Sequence, residues 1–126
     1  MVHAAAVRLG LAVPIVYVIC LAVGTYSHAV ALIHHGWDWN YGGMPMGTRV
    51  FWTSLTLLDP LVAVLLFLKT KPAAIMLVIL MVSDAVHNTW VIHRYGGEGW
   101  MVLNQWIFLT FVLLTVGLVW RGTPKR

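Results

Sequence analysis

Acid is scarce in this chain. Only Asp38, Asp59, Asp84 and Glu98 are acidic among 126 residues, and charged residues of both signs make up 10%. Cysteine is scarcer still: Cys20 stands alone in an apolar run, which excludes an intrachain disulfide and a cysteine-based metal site. Soluble domains carry roughly a quarter charged residues. A chain with a tenth, with 60% hydrophobic residues and a mean hydropathy of +0.84, has too little polar surface to face water. Its solvent is lipid. The formal charge of +4 does not point to nucleic acid, because the cations sit at the ends of apolar runs and form no basic patch interleaved with aromatics.

Four apolar runs, 9–33, 50–68, 73–93 and 100–120, each approach or exceed the roughly 20 residues a helix needs to cross a hydrocarbon core. The first follows Arg8 and contains a small-x-small site at Ala29 and Ala31, but it is too long for the apolar region of a signal peptide. The expectation is one all-α domain, a polytopic bundle of four transmembrane helices. Alternating the helices puts Arg8, Lys69, Lys71, Arg121, Lys125 and Arg126 on one side, and Arg49 and Arg94 on the other. The positive-inside rule then gives an N-in, C-in topology, most simply in a bacterial inner membrane. Lys69-Thr70-Lys71-Pro72 is a short inner turn with a proline suited to a helix start, so the second and third helices should form an antiparallel hairpin. On the outer side Trp37, Trp39, Tyr41, Tyr95 and Trp100 fit an interfacial aromatic belt.

The polar residues inside the spans are unevenly spread in depth. Asp59 lies midway between Arg49 and Lys69, and Asp84 about midway between Lys71 and Arg94, so both belong near the bilayer centre. Asp84, His87 and Asn88 stand at i, i+3 and i+4 and share one helix face. His28, Thr53, Thr56, Asn104 and Gln105 fall in the outer half, and the inner half reads as plain apolar packing. Ionisable groups at such depth are costly and mark functional sites by default. The pattern describes a cup with a dry base, two carboxyls at the bottom and a mouth toward the outer leaflet or the outside. Pro60 sharpens it: a proline inside a helix withholds the donor that the Thr56 carbonyl would otherwise receive. Thr56 and Asp59 should therefore cluster on the pocket side, where neighbouring groups or water re-satisfy the backbone. Trp52, Trp90 and Trp106 lie in the outer half and either line the cup, where an indole face attracts a cation, or serve equally as belt or lipid-facing residues.

The expected function is to bind a small amphiphilic or lipid-like ligand. Asp59 and Asp84 are the first choice for ligand or proton contact, and His87, Asn88, His28, Thr56, Gln105 and Trp52 surround them. If the protein is an enzyme, Asp59 and Asp84 are its catalytic pair. Isomerase-type proton chemistry would need one protonated and one ionised group beside the same carbon. No cofactor or metal is expected on this reading. Other readings compete. The polar residues would serve as an interhelical clamp, at roughly 0.6 kcal/mol per hydrogen bond. His28 and His87 would be axial ligands of haem b in an accessory or redox subunit. His34, His35, Asp38, Met44 and Met46 would hold copper at the outer surface. The acids would pair with cations of a larger membrane complex, or the chain would form a homo-oligomer.

The helix-two line from Phe51 through Asp59, Pro60 and Leu61, followed by Asp84 and Asn88 in helix three, resembles a group of small bacterial integral membrane proteins of unassigned activity. Ser27-His28 in helix one, the acid and proline of helix two and the polar third helix are also similar, more remotely, to the EXPERA family of sterol isomerases and sigma-two receptors. That resemblance implies an intramembrane cavity in which acids bind amines or stabilise a sterol carbocation. Asp59 and Asp84 would be the charge-bearing pair, with His28, His87 and Asn88 around them.

Overall fold

In the computed structural model the described residues are 1–122, so Lys125 and Arg126 of the charge count lie outside them. Four helices account for nearly all of this stretch: α1 (Val2–His35), α2 (Met46–Leu68), α3 (Thr70–Tyr95) and α4 (Gly99–Gly122). Each is long and apolar enough to cross a membrane. All four outrun the apolar runs that predicted them, because backbone hydrogen bonding carries a helix on until something stops it. For α1 and α3 the stop is a glycine. Gly36 (φ 81°) and Gly96 (φ 83°) take the left-handed conformation that side chains resist, and their N–H groups cap Leu32 and Ile92. The predicted inner turn is tighter than its sequence suggested. Lys69 alone separates α2 from α3, and α2 runs unbroken through Pro60.

The helices alternate up and down in a ring. α1 packs most closely on α2 and α3 on α4; α2 against α3 and α1 against α4 complete the square, while diagonal pairs stay apart. Arg8, Lys69, Lys71 and Arg121 lie at one end of the bundle, and Arg49 and Arg94 lie at the other, called outer here after the charge rule. The core is aliphatic, built from residues such as Leu21, Leu55, Val62, Leu77, Ala85 and Val112. Large side chains including Ile19, Leu57, Phe67, Ile79 and Leu114 point outward, as they must where the surroundings are acyl chains.

The inner half is not wholly dry. Tyr17 is fully buried, with its hydroxyl 2.6 Å from Thr115 Oγ1 on α4. The Thr115 hydroxyl donates to the Phe111 carbonyl (2.6 Å), so Tyr17 is the donor between them. Its ring packs edge-on against Phe108 and Phe111 at 6.3 and 5.8 Å. Tyr17→Phe keeps those ring contacts and removes the bond to Thr115 together with the longer contact to the Val112 carbonyl (3.5 Å). It should lower stability by about 0.6 kcal/mol, read as a shifted midpoint on unfolding in mixed micelles.

Candidate functional site

Asp59 is the buried carboxyl of the bundle, 5% exposed. What admits it is a gap on the neighbouring helix. Gly24 of α1 faces it so closely that a Cβ there would lie 2.7 Å from Asp59 Oδ2. The missing side chain gives the carboxyl its seat against the α1 backbone. The other oxygen, Oδ1, is buried without a hydrogen-bond partner.

Asp84 sits on α3, half-buried, and is held differently. The Asn88 side-chain amide donates to Asp84 Oδ1 at 2.8 Å, and Trp52 Nε1 on α2 donates to Asn88 Oδ1 at 2.7 Å. The i, i+4 spacing of Asp84 and Asn88 makes the first bond, and α2–α3 packing makes the second. Asp59 and Asp84 stand on the packed neighbours α2 and α3. No hydrogen bond joins them.

His87 is wrapped in aromatic rings: Phe51 at 4.8 Å, Trp90 at 5.7 Å and Trp52 at 6.3 Å between centroids. Its Nε2 is buried and unpartnered, as are Thr56 Oγ1 and Gln105 Oε1. Four buried polar atoms without partners therefore come from three helices, all on residues that the sequence pointed to. His28 is partly buried on α1, one turn outward from Gly24. α1 and α3 stand on a diagonal of the ring, so His28 and His87 are not carried by packed neighbours. Among the described residues no group of three or more His, Cys, Asp or Glu side chains is placed to hold a metal ion. His35, one of the proposed copper ligands, instead stacks on Trp39 at 4.0 Å.

The expected cup is divided into grooves. One hollow of about 230 Å³ lies between α1 and α2, lined by Ala29, Leu32, Ile33, Trp37 and Thr56. A second, of about 280 Å³, lies between α2 and α3 among Phe51, Leu58, Val62, Met76, Ile79, Leu80 and Ser83. Neither acid lines either one directly; Thr56 is the polar site residue that one of them reaches.

The outer loop departs from its reading as a simple belt. Trp39 and Tyr41 fold back onto the bundle in a continuous run of ring contacts: Trp39–Tyr41 tilted at 4.2 Å and Tyr41–Trp52 edge-on at 5.1 Å. Tyr41 also shares a hydrogen bond of 3.1 Å with Thr53. Arg49 holds the loop from below by donating to the backbone carbonyls of Asp38 (3.1 Å) and Trp39 (3.4 Å). Trp37 and Trp100 stay exposed, as belt residues should. Trp106, read as a possible wall of the cup, instead donates to Thr89 on the surface (2.9 Å).

Sequence reasoning missed Gly24 and Tyr41. Nothing in α1 alone marks Gly24, whose importance comes from the carboxyl opposite. Comparison with protein-family models, with curated proteins and with solved structures finds no match for this chain.

Proposed function

We propose that this protein binds a small amphiphilic molecule in the outer half of the bundle, through a head group that donates hydrogen bonds. The observation that carries this reading is the set of buried polar atoms left open: Asp59 Oδ1, Thr56 Oγ1, His87 Nε2 and Gln105 Oε1. In lipid each unsatisfied polar group costs several kcal/mol, and no bulk water is at hand to relieve it. A guest that reaches Asp59 and Thr56, neighbours on α2, would relieve two of them at once. Two of the four, the carboxylate and amide oxygens, can only accept, so the guest must donate. A protonated amine with an apolar body meets that requirement and answers the charge of Asp59 and Asp84.

On this reading Asp59 and Thr56 contact the ligand. Asp84 contributes charge and is oriented by Asn88 and Trp52, and His87, His28 and Gln105 form the surrounding shell. The same pair would serve isomerase-type proton transfer if one carboxyl carried a proton and the other did not. The excess of cations at the inner end and the resemblance to small bacterial membrane proteins support a bacterial inner membrane as the location.

Native mass spectrometry from mild detergent tests the reading. Wild-type protein should carry a co-purified molecule that Asp59→Asn and Asp84→Ala both lose. Identical loads in wild type and variants, or none in any of them, would count against the site.

A further inference from the structure

We propose that the ligand reaches its site sideways from the outer leaflet, through the groove between α1 and α2. Its apolar chain then lies along Ala29, Leu32 and Ile33 while its donor head meets Thr56 and Asp59. This rests on the ligand-binding reading above and adds to it a route and a seat.

At the aqueous end the outer loop lies over the α2 side of the bundle. The loop 36–45 is tied to α2 by the Arg49 guanidinium, which donates to the carbonyls of Asp38 and Trp39, and by Tyr41, which bonds to Thr53. It lays Tyr41 on Trp52, whose indole is bonded to Asn88 and through it to Asp84. A ligand descending from water along this side would have to part that stack of rings and break the bonds that orient Asp84.

The flank is open. The α1–α2 groove has Trp37 among its lining residues, and its polar member is Thr56, whose Oγ1 is buried and unpartnered. Asp59 is one turn deeper on the same face of α2, at i+3 from Thr56, and it rests against Gly24 of α1 on the same helix pair. Thr56 thus lines the groove itself, and the Asp59 side chain, seated by its Oδ2 against Gly24, stands at the same α1–α2 contact one turn deeper. The α2–α3 groove is slightly larger, but no residue lining it carries a buried unpartnered polar atom. Its polar member is the exposed hydroxyl of Ser83, where the α1–α2 groove has a buried one. The volume, about 230 Å³, is below the ~300–1,000 Å³ of pockets that enclose a whole ligand. The groove therefore holds part of an amphiphile and leaves the rest in lipid. The occupant is a single-chain amine drawn from the outer leaflet, chosen by the acceptors at the groove's deep end and the two acids behind them.

The probe is dodecylamine carrying a diazirine on its chain, added to the full-length protein in phosphatidylcholine vesicles, photolysed, and mapped by peptide mass spectrometry. The label should fall on residues 29–33 of α1 and be lost in Asp59→Asn. Ala29→Trp, which fills the groove without touching Asp59, should reduce it by about tenfold, the equivalent of one blocked seat. Ile33→Trp, at a largely exposed rim position, should reduce it in the same direction without disturbing the fold. Label on residues 76–83 of α3 that still depends on Asp59 would overturn the route and leave the ligand site standing. So would label on α1 that neither tryptophan variant weakens. Label that does not depend on Asp59 anywhere would overturn both.

Discussion

Gly24→Ala should destabilise the bundle by about 1–3 kcal/mol and empty the site, although it adds a single methyl group to a membrane helix. The ordinary expectation has the opposite sign, because alanine is favoured over glycine inside a helix by roughly 0.8–1.0 kcal/mol. The reversal comes from what stands opposite. The new Cβ would lie 2.7 Å from Asp59 Oδ2 and 3.7 Å from its Cγ. The second distance is ordinary contact and the first is too short to stand, so either the carboxyl, the end of a short side chain, turns away or the helices part. α1 and α2 form the closest-packed pair in the ring, so parting them is the dearer choice. The carboxyl moves, and with it the acceptor that a ligand would use. A double-mutant cycle isolates the effect. In an Asp59→Ala background the obstacle is gone, and Gly24→Ala should become neutral or mildly stabilising on unfolding in mixed micelles. If Gly24→Ala alone is neutral and keeps its co-purified ligand, the seat assigned to Asp59 is wrong.

The spans, their hairpin and the depth of the polar residues were legible in the sequence because each is a property of one segment. Hydropathy marks a helix that must lie in lipid, and position along it gives depth. Asp84 and Asn88 were legible as a pair because a helix brings i and i+4 together, and their hydrogen bond follows. What could not be read depends on how separate segments meet. Gly24 looks like any small residue in an apolar helix until Asp59 faces it. Tyr17 and Thr115, 98 positions apart, gave no sign that they close a hydrogen bond in a half expected to be dry. Tyr41 in a glycine-broken loop has the composition of a belt residue, and only its stacking on Trp52 shows it folded over the site. The cup became grooves for a related reason. These helices are apolar nearly all round, so periodicity places their polar residues on a face but does not fix how far apart two faces stand.

The two acids should respond to the same substitution with opposite signs. Asp59→Leu should stabilise the bundle by about 1–3 kcal/mol, since an ionisable group near a helix centre is expensive and this one recovers little of its cost. Its Oδ1 bonds to nothing, so leucine, which shares the branching at Cγ, gives up no hydrogen bond there, and the missing side chain at Gly24 leaves room for its bulkier methyl groups to shift. Asp84→Leu should instead destabilise. It removes the acceptor of the Asn88 amide and leaves that group unsatisfied, while Trp52 continues to hold the other end of Asn88 in place. Loss of the bond alone accounts for roughly 0.6 kcal/mol, with up to about 1.7 in the strongest membrane cases. Both variants should lose the ligand. The contrast matters because a clamp and a binding site make different demands on a buried acid. A clamp residue is kept for the stability it contributes, and replacing it weakens the protein. A binding residue is kept at the expense of stability, and replacing it with an isosteric hydrocarbon strengthens the protein while silencing the site. Reversible unfolding of both leucine variants, paired with native mass spectrometry of each, separates these cases. A less stable Asp59→Leu would make Asp59 a structural residue and remove the strongest support for a site at this depth.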